Sequence, residues 1–275
     1  MVKPIVKRVA TALVTILALS AMSVPYAQAE DQAPAAAEQG EGAKAPKEAP
    51  VEWEKWRAHN AVEDRASLQR GARNFMNYCI GCHSLKFERY QRMADDLKIP
   101  TSVLQANLIP PGSNNLDYIT TSMPAADAQA WFGKVPPDLS LIARSKGADY
   151  VYRLFKTFYA DPTRPTGTDN LAYPSLAMPA VLSELEGVKT AVFREQKNAS
   201  GATEKVFDHF ETLSPGNMTS EEYDGFVRDT VNFLDYIGEP AQAERRSMGI
   251  WIVLFLMLLT SFAWLLKKEY WKDVH

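Results

Sequence analysis

The two cysteines of this 275-residue chain stand in the run Cys79-Ile80-Gly81-Cys82-His83. A Cys-x-x-Cys-His run is typical of covalent haem attachment, because two thiols add to the porphyrin vinyl groups and the histidine supplies an axial nitrogen. The run predicts one haem c, bound through two thioethers. A redox dithiol or half of a zinc site would use the same pair. However, the chain has no second cysteine pair, and its other histidines lack zinc-ligand spacing.

The second axial ligand of an electron-carrying haem iron is commonly a methionine, which raises the reduction potential relative to a second histidine. Between the two terminal apolar runs the candidates are Met76, Met93, Met123, Met178 and Met218. Met76 precedes the haem motif within a predicted helix, Met93 follows it too closely, and Met218 stands just before a capped helix. Met123 and Met178 remain, and each is followed by proline. The apolar surroundings of Met178 favour it, with a core methionine as the alternative.

Helical spacing leads directly into the haem motif. Leu68, Ala72, Phe75 and Cys79 recur at intervals of four, three and four residues, which predicts one apolar helix face ending at the attachment point. Gly71 lies on or beside that face. It is either a local defect or a position where a second helix approaches closely.

A second strong helix follows Thr219, which forms a capping-box pattern with Glu222, and it ends near Gly238. A further helix is predicted over 149–159, ended by Asp161-Pro162. Strand patterns are short and unconvincing. The predicted fold class is therefore mainly α, a single cytochrome c-like haem domain with long loops plus one C-terminal transmembrane helix.

The two ends of the chain are apolar and suggest export and anchoring. Residues 1–29 have a basic head, an apolar stretch and a small-residue cleavage pattern, which predicts a signal peptide, with a retained signal anchor as the alternative. Residues 248–266 carry no formal charge, and at about 1.5 Å per residue they span about 28 Å, close to the ~30 Å hydrocarbon core. Residues 248–266 are therefore predicted to form a transmembrane anchor.

Export would orient this anchor. We expect a disordered Ala/Pro/Glu-rich spacer over 30–52, a periplasmic haem domain over 53–240 and a cytoplasmic tail over 267–275. The predicted location is a bacterial inner membrane, crossed once.

The exported part of the chain is acidic. Residues 1–29 contain three basic and no acidic residues, so their removal changes the formal charge from −3 to −6. This balance argues against nucleic-acid binding and favours a basic soluble partner. Candidate docking residues, each of which is alternatively an ordinary solvated side chain, are Glu184, Glu186, Asp208, Glu211, Glu221 and Glu222.

From about Trp53 to its C-terminus, the chain resembles the cytochrome c1 family, the haem subunits of ubiquinol–cytochrome c reductase (the cytochrome bc1 complex). The matching stretches are Ser67-Leu68-Gln69-Arg70-Gly71, the haem motif with Ser84-Leu85-Lys86-Phe87, Pro136-Pro137-Asp138-Leu139-Ser140, Met178-Pro179, and Gly238-Glu239-Pro240 before the anchor. The haem motif alone fits any c-type cytochrome. The Pro-Pro-Asp-Leu-Ser stretch combined with the anchor narrows the resemblance to this family.

The resemblance implies a set of site residues. Cys79 and Cys82 would hold the haem, and His83 and Met178 would ligate the iron. Residues expected around the haem are Pro136, Pro137, Leu139, Lys146 and Tyr150, of which Lys146 and Tyr150 are the nearest matches to a basic residue and a tyrosine beside a propionate. The loop is shorter than in the family, so Arg144 is an alternative to Lys146.

The implied function is electron transfer. A Rieske iron–sulfur protein would donate single electrons, and a cytochrome c would accept them. Cytochrome b and membrane lipid would surround the anchor. The alternatives are a membrane-anchored, peroxidase-like haem enzyme with an open iron site, and a haem sensor, for which the short tail leaves no output domain.

Overall fold

A computed structural model describes residues 51–197 and 202–272, which belong to a compact unit running from Glu48 to His275. The predicted signal peptide, and all but the last two residues of the predicted spacer, lie outside the described residues.

The described chain contains helices and pairs of antiparallel strands. The helices are α1 (Arg65–Tyr78), α2 (Tyr90–Leu97), α3 (Thr101–Asn107), α4 (Ala125–Phe132), α5 (Ile142–Lys146), α6 (Ala148–Lys156), α7 (Ser183–Glu186), α8 (Ser220–Gly238) and α9 (Gln242–Tyr270), after a 3-10 turn at Trp53–Lys55. The strands form antiparallel pairs: β1 (Leu85–Arg89) with β2 (Tyr118–Ile119), β3 (Phe158–Ala160) with β4 (Thr168–Asn170), and β5 (Gly187–Lys197) with β6 (Thr203–Pro215).

The core is built on the packing of α1 against α8. A methyl group on Gly71 would lie 2.5 Å from Cβ of Phe233 and closer still to the carbonyl oxygen of Asp229, so the glycine permits the contact. Of the two interpretations of Gly71, a local defect or a close helix approach, the structure shows the close approach. Beside it, the buried Asn74 donates through Nδ2 to the Phe226 carbonyl at 3.2 Å and to Oγ1 of Thr230 at 3.1 Å.

The predicted capping box is confirmed. Thr219 Oγ1 accepts from the Glu222 backbone N–H at 3.3 Å, and the Glu222 carboxylate accepts from the Thr219 N–H at 2.8 Å. These bonds satisfy two backbone donors that the first turn of α8 would otherwise leave free.

The helix predicted over 149–159 was wrong at its end. The helix stops at Lys156, and Phe158–Ala160 forms β3. The helix gives way at Thr157, whose hydroxyl lies 2.8 Å from the Arg153 carbonyl oxygen and 3.1 Å from Oδ1 of Asn170 in β4, so its one proton is shared between these two acceptors. The following residues then pair with β4, a tertiary contact that local pattern does not reveal.

The expectation of unconvincing strands was also wrong. Strands β5 and β6 form a long two-stranded ribbon, whose connection at 198–201 lies outside the described residues. Register shifts at Val188/Lys189 and Val192/Phe193 interrupt the two-residue alternation, which hides the pattern in the sequence. The mainly helical class holds for the rest of the described chain.

Helix α9 contains the whole predicted anchor. It is the one helix among the described residues that is long and apolar enough to cross a membrane, and its side chains are exposed along its length. At its start, Arg245 pairs with Glu239 at 2.8 Å and Arg246 with Glu63 at 3.4 Å. Helix α9 therefore fits a single-pass membrane anchor.

Candidate haem site

The haem motif forms a single tight turn at the end of α1. The Cys79 N–H still donates to the Phe75 carbonyl at 2.9 Å, as in a helix. The Cys79 carbonyl then accepts from the N–H of Cys82 at 3.0 Å and of His83 at 2.8 Å. Hydrogen bonds to the Cys79 carbonyl therefore hold the backbone of Cys82 and His83 close to Cys79.

The two thiols differ in exposure. Cys79 is 7% exposed, whereas Cys82 is only partly buried. Burial, followed by the nearby Cys82, raises the pKa of the Cys79 thiol to about 12. Burial also raises the pKa of Cys82. Both cysteines are therefore neutral thiols. Two thiols three residues apart are the number and spacing that the two vinyl groups of a haem require.

The imidazole of His83 is oriented by the Pro-Pro loop. Its Nδ1 lies 2.8 Å from the Pro137 carbonyl oxygen, and since a carbonyl only accepts, Nδ1 carries the proton. Burial lowers the pKa of His83, and this outweighs the opposing effects of the Pro137 bond and of Asp138. Nε2 therefore keeps its lone pair, which is the state that a metal ligand needs.

Asp138 fixes the loop that orients His83. Its Oδ2 accepts from the Lys86 N–H at 2.8 Å, and its Oδ1 accepts from the Ser140 N–H at 3.0 Å. The Leu139 N–H donates to the Ser84 carbonyl at 2.9 Å. The sequence analysis assigned Asp138 no role of its own, although the Asp-x-Ser pattern is typical of a side chain that bonds the backbone two residues later.

A second loop supports the motif from its other side. Thr121 Oγ1 donates to the Gly81 carbonyl at 2.8 Å, and the Thr121 N–H donates to Ser84 Oγ at 2.9 Å. The sequence analysis did not single out Thr121, and no local signal identifies it because its partners lie about forty residues earlier.

The five methionine candidates occupy different places. Met76 and Met93 are buried side chains of the main hydrophobic cluster, at 9% and 0% exposure. The N–H of Met218 donates to the Leu185 carbonyl at 3.1 Å, just before α8. Met123 and Met178 are both partly buried, and Met178 packs against the main hydrophobic cluster.

Of the residues expected around the haem, Pro137 and Leu139 are hydrogen-bonded to the motif region, through the Pro137 carbonyl to His83 and the Leu139 N–H to Ser84. Leu139 and Tyr150 are partly buried and pack against the main cluster, while Pro136 is partly buried and Pro137 exposed. Lys146, at the end of α5, and Arg144 are both exposed. Within the described ranges neither forms an ion pair, so each is free to meet an anion.

Several acidic docking candidates are engaged elsewhere. Glu186 is 17% exposed and pairs with Lys189, which removes it from the candidates. Asp208 pairs with Arg194 at 3.4 Å, and Glu222 belongs to the capping box. Glu184, Glu211, Glu221 and Glu222 are exposed, although Glu211 lies 3.5 Å from Nε2 of His209 and Glu184 accepts from Nδ2 of Asn217 at 3.2 Å.

The residues present fit a c-type haem. Two neighbouring cysteines, an imidazole with a free Nε2 and a partly buried methionine are the donor types that such a group requires. The fold and this site define the chain as a helical haem-binding domain that continues into a helix long and apolar enough to cross a membrane.

Comparison with known proteins gives the family. The model of the Cytochrome C1 family matches residues 111–274. Cytochrome c1 of Allochromatium vinosum is 47% identical over 214 residues, which cover 78% of this chain and 87% of that protein. The ammonia monooxygenase gamma subunit of Nitrosomonas europaea is 41% identical over 212 residues, covering 77% and 85%. The cytochrome b/c1 protein of Bradyrhizobium diazoefficiens is 26% identical over 250 residues, covering 77% and 34%.

The chain belongs to the cytochrome c1 family, which confirms the resemblance. The family match begins after the Cys-x-x-Cys-His run, so the motif and the match support the assignment independently. The chain is thus a haem subunit of a cytochrome bc1 complex, with cytochrome b as a partner, and it acts in electron transfer. Membership of this family favours an electron carrier over the alternative of a peroxidase-like enzyme with an open iron site.

Proposed function

We propose that this subunit carries one haem, attached through thioethers to Cys79 and Cys82 and ligated by His83 and Met178. When bound, this group supplies a one-electron ferric/ferrous couple. The single observation that carries the proposal is the turn in which the Cys79 carbonyl gathers Cys82 and His83, while Pro137 leaves Nε2 of His83 free.

The chain's residues serve electron transfer by keeping the site rigid. Pro137 and Asp138 hold the His83 ring in one orientation, so the ligand does not have to rearrange when the charge at the site changes. A methionine in the second axial position excludes small molecules and raises the potential. Leu139 and Tyr150 would keep water from the buried side, and Arg144 or Lys146 would pair with a propionate.

The electron partners complete the proposal. We infer that a Rieske iron–sulfur protein donates single electrons and that a cytochrome c accepts them. The acidic surface would steer a basic acceptor through Glu184, Glu211 and Glu221, which are exposed. The rate of acceptor reduction should then fall as ionic strength rises. A rate indifferent to salt would contradict steering.

The topology of the chain follows from export. Residues 1–29 would be a signal peptide, 53–240 would lie in the periplasm, and 267–275 would remain in the cytoplasm. Protease added to intact spheroplasts should digest the haem domain and spare a tag on the C-terminus. Digestion of the tag instead would reverse the orientation.

Mass spectrometry and ligand binding test the haem proposal. The peptide containing Cys79 and Cys82 should gain the mass of one haem, and Cys82→Ser should lose one thioether. Cyanide should bind the parent slowly and Met178→Ala quickly. Rapid cyanide binding by the parent would instead favour the enzyme with an open iron site.

A further inference from the structure

Met178 lies in an irregular segment between β4 and α7, which we call the methionine loop (residues 171–182). An irregular loop has no ladder of backbone hydrogen bonds, so other acceptors must satisfy its N–H groups. Two side chains at the end of β4, Asp169 and Asn170, supply acceptors for four of these N–H groups, and they are 8% and 1% exposed.

Asp169 holds the middle of the loop. Its Oδ1 accepts from the backbone N–H of Ser175 at 2.7 Å and of Leu176 at 3.3 Å, and also from that of Asn170 at 2.8 Å. Its Oδ2 lies 3.8 Å from Nε of Arg164. The carboxylate therefore bonds the backbone two and three residues before Met178. Because the acceptor is charged, these hydrogen bonds are stronger than those between neutral groups.

Asn170 ties the start of the loop to α6. Its Oδ1 accepts from the N–H of Ala172 at 2.9 Å and of Tyr173 at 3.1 Å. Its Nδ2 donates to the Leu154 carbonyl at 2.8 Å, in the last turn of α6. The Thr157 hydroxyl also donates to Asn170 Oδ1, at 3.1 Å.

Every backbone N–H from Asn170 to Leu176 thereby has an acceptor. The remaining N–H in this stretch, that of Leu171, donates to the Thr157 carbonyl at 3.1 Å, and Pro174 has no N–H. Ser175 adopts φ +64°, a left-handed conformation that is unfavourable for a non-glycine residue. Its 2.7 Å bond to Asp169 stabilises this conformation.

We propose that Asp169 and Asn170 are positioning residues for the second axial ligand. They hold the methionine loop in the conformation in which Met178 ligates the iron, and neither touches the iron itself. This inference rests on the proposed function, since it requires Met178 to be the ligand. A loop whose conformation is already fixed loses little conformational entropy when the sulfur of Met178 binds the iron. The iron-bound form is therefore favoured over the form in which the methionine is released.

Imidazole binding to the purified, full-length ferric protein in detergent tests the inference, because imidazole competes with the methionine. Asp169→Ala removes the acceptor for Ser175 and Leu176, so imidazole affinity should rise about tenfold or more. The red-region absorption band of the methionine sulfur–ferric iron bond should weaken in parallel. Asp169→Asn retains an acceptor oxygen and should restore both readouts to within about threefold of the parent.

Asp161→Ala is the matched control. Asp161 lies in the neighbouring turn and accepts from the Thr163 N–H at 3.0 Å and the Thr163 hydroxyl at 2.7 Å, away from the methionine loop. Its removal should leave imidazole affinity and the absorption band unchanged. An equal effect of the Asp161 and Asp169 changes would overturn the inference.

Met178→Ala separates the two proposals. Persistence of the band in Met178→Ala would show that the proposed ligand is wrong. If that variant loses the band but Asp169→Ala binds imidazole like the parent, the positioning inference alone fails. Should Asp169→Ala not fold, the titration of Asn170→Ala decides, because it should bind imidazole at least about fivefold more tightly. Unchanged affinity in that variant would refute the inference.

Discussion

Replacing Gly71 with alanine tests the helix contact on which the attachment site is built. Gly71 lies in α1, eight residues before Cys79, where α1 crosses α8. The added methyl group would lie 2.5 Å from Cβ of Phe233 and 2.9 Å from the carbonyl carbon of Asp229, both well inside van der Waals contact. The Asp229 carbonyl belongs to a helix backbone and cannot rotate away, so the two helices must separate.

The magnitude is the difference between two opposing effects. Overpacking a close contact costs about 1–3 kcal/mol, and a backbone obstacle places this position at the upper end. Alanine is favoured over glycine inside a helix by about 1 kcal/mol. The Gly71→Ala variant should therefore lower the free energy of unfolding by about 2 kcal/mol.

Guanidinium unfolding followed by far-ultraviolet circular dichroism measures this change, with Gly225→Ala as the matched control. Gly225 lies in α8 with open space around its Cα, so alanine there should stabilise the protein by up to about 1 kcal/mol. If Gly71→Ala were as stable as Gly225→Ala, α1 and α8 would not be in the close contact described.

Three further changes test other parts of the fold. Burial raises the pKa of Glu88 from 4.5 to about 7, so the native state binds its proton more tightly and stability falls as pH rises between those values. Glu88→Gln should be more stable than the parent by about 2 kcal/mol at pH ~8 and no more stable at pH ~4. Thermal unfolding at the two pH values measures this difference, and an equal gain in stability at both pH values would refute the burial of a charged Glu88. Asp138→Ala strips the Lys86 and Ser140 N–H groups of their acceptor and should cost about 2 kcal/mol in denaturant unfolding, whereas a neutral result would mean that the loop is held otherwise. Thr219→Ala should cost about 1 kcal/mol in the same assay, and no loss would contradict the capping box.

Local signals predicted much of this structure. The spacing that ends at Cys79, the capping box at Thr219 and the charge-free run within α9 each depend on residues within a few turns of one another, and each forms as expected. The sequence allowed two interpretations of Gly71, a local defect or a close helix approach. Only the position of α8 in the structure decides between them.

Features that depend on distant residues were missed. The ribbon of β5 and β6 escaped prediction because bulges break its alternation, and α6 gives way early at Thr157, whose hydroxyl bonds to Asn170. Glu186 resembled an available surface acid, but Lys189 reaches it from β5. Asp138 reaches the Lys86 N–H only through tertiary folding, whereas Asp169 bonds backbone groups one, six and seven residues later, in a loop whose conformation the local pattern does not reveal.

Iron X-ray absorption on the oxidised, purified protein tests the central claim most directly, because it reports the atoms bound to the metal. We expect a six-coordinate iron with five nitrogen neighbours and one sulfur, and loss of the sulfur in Met178→Ala. A spectrum of the parent with no sulfur neighbour, or with an open coordination position, would contradict the assignment of His83 and Met178 as the axial pair.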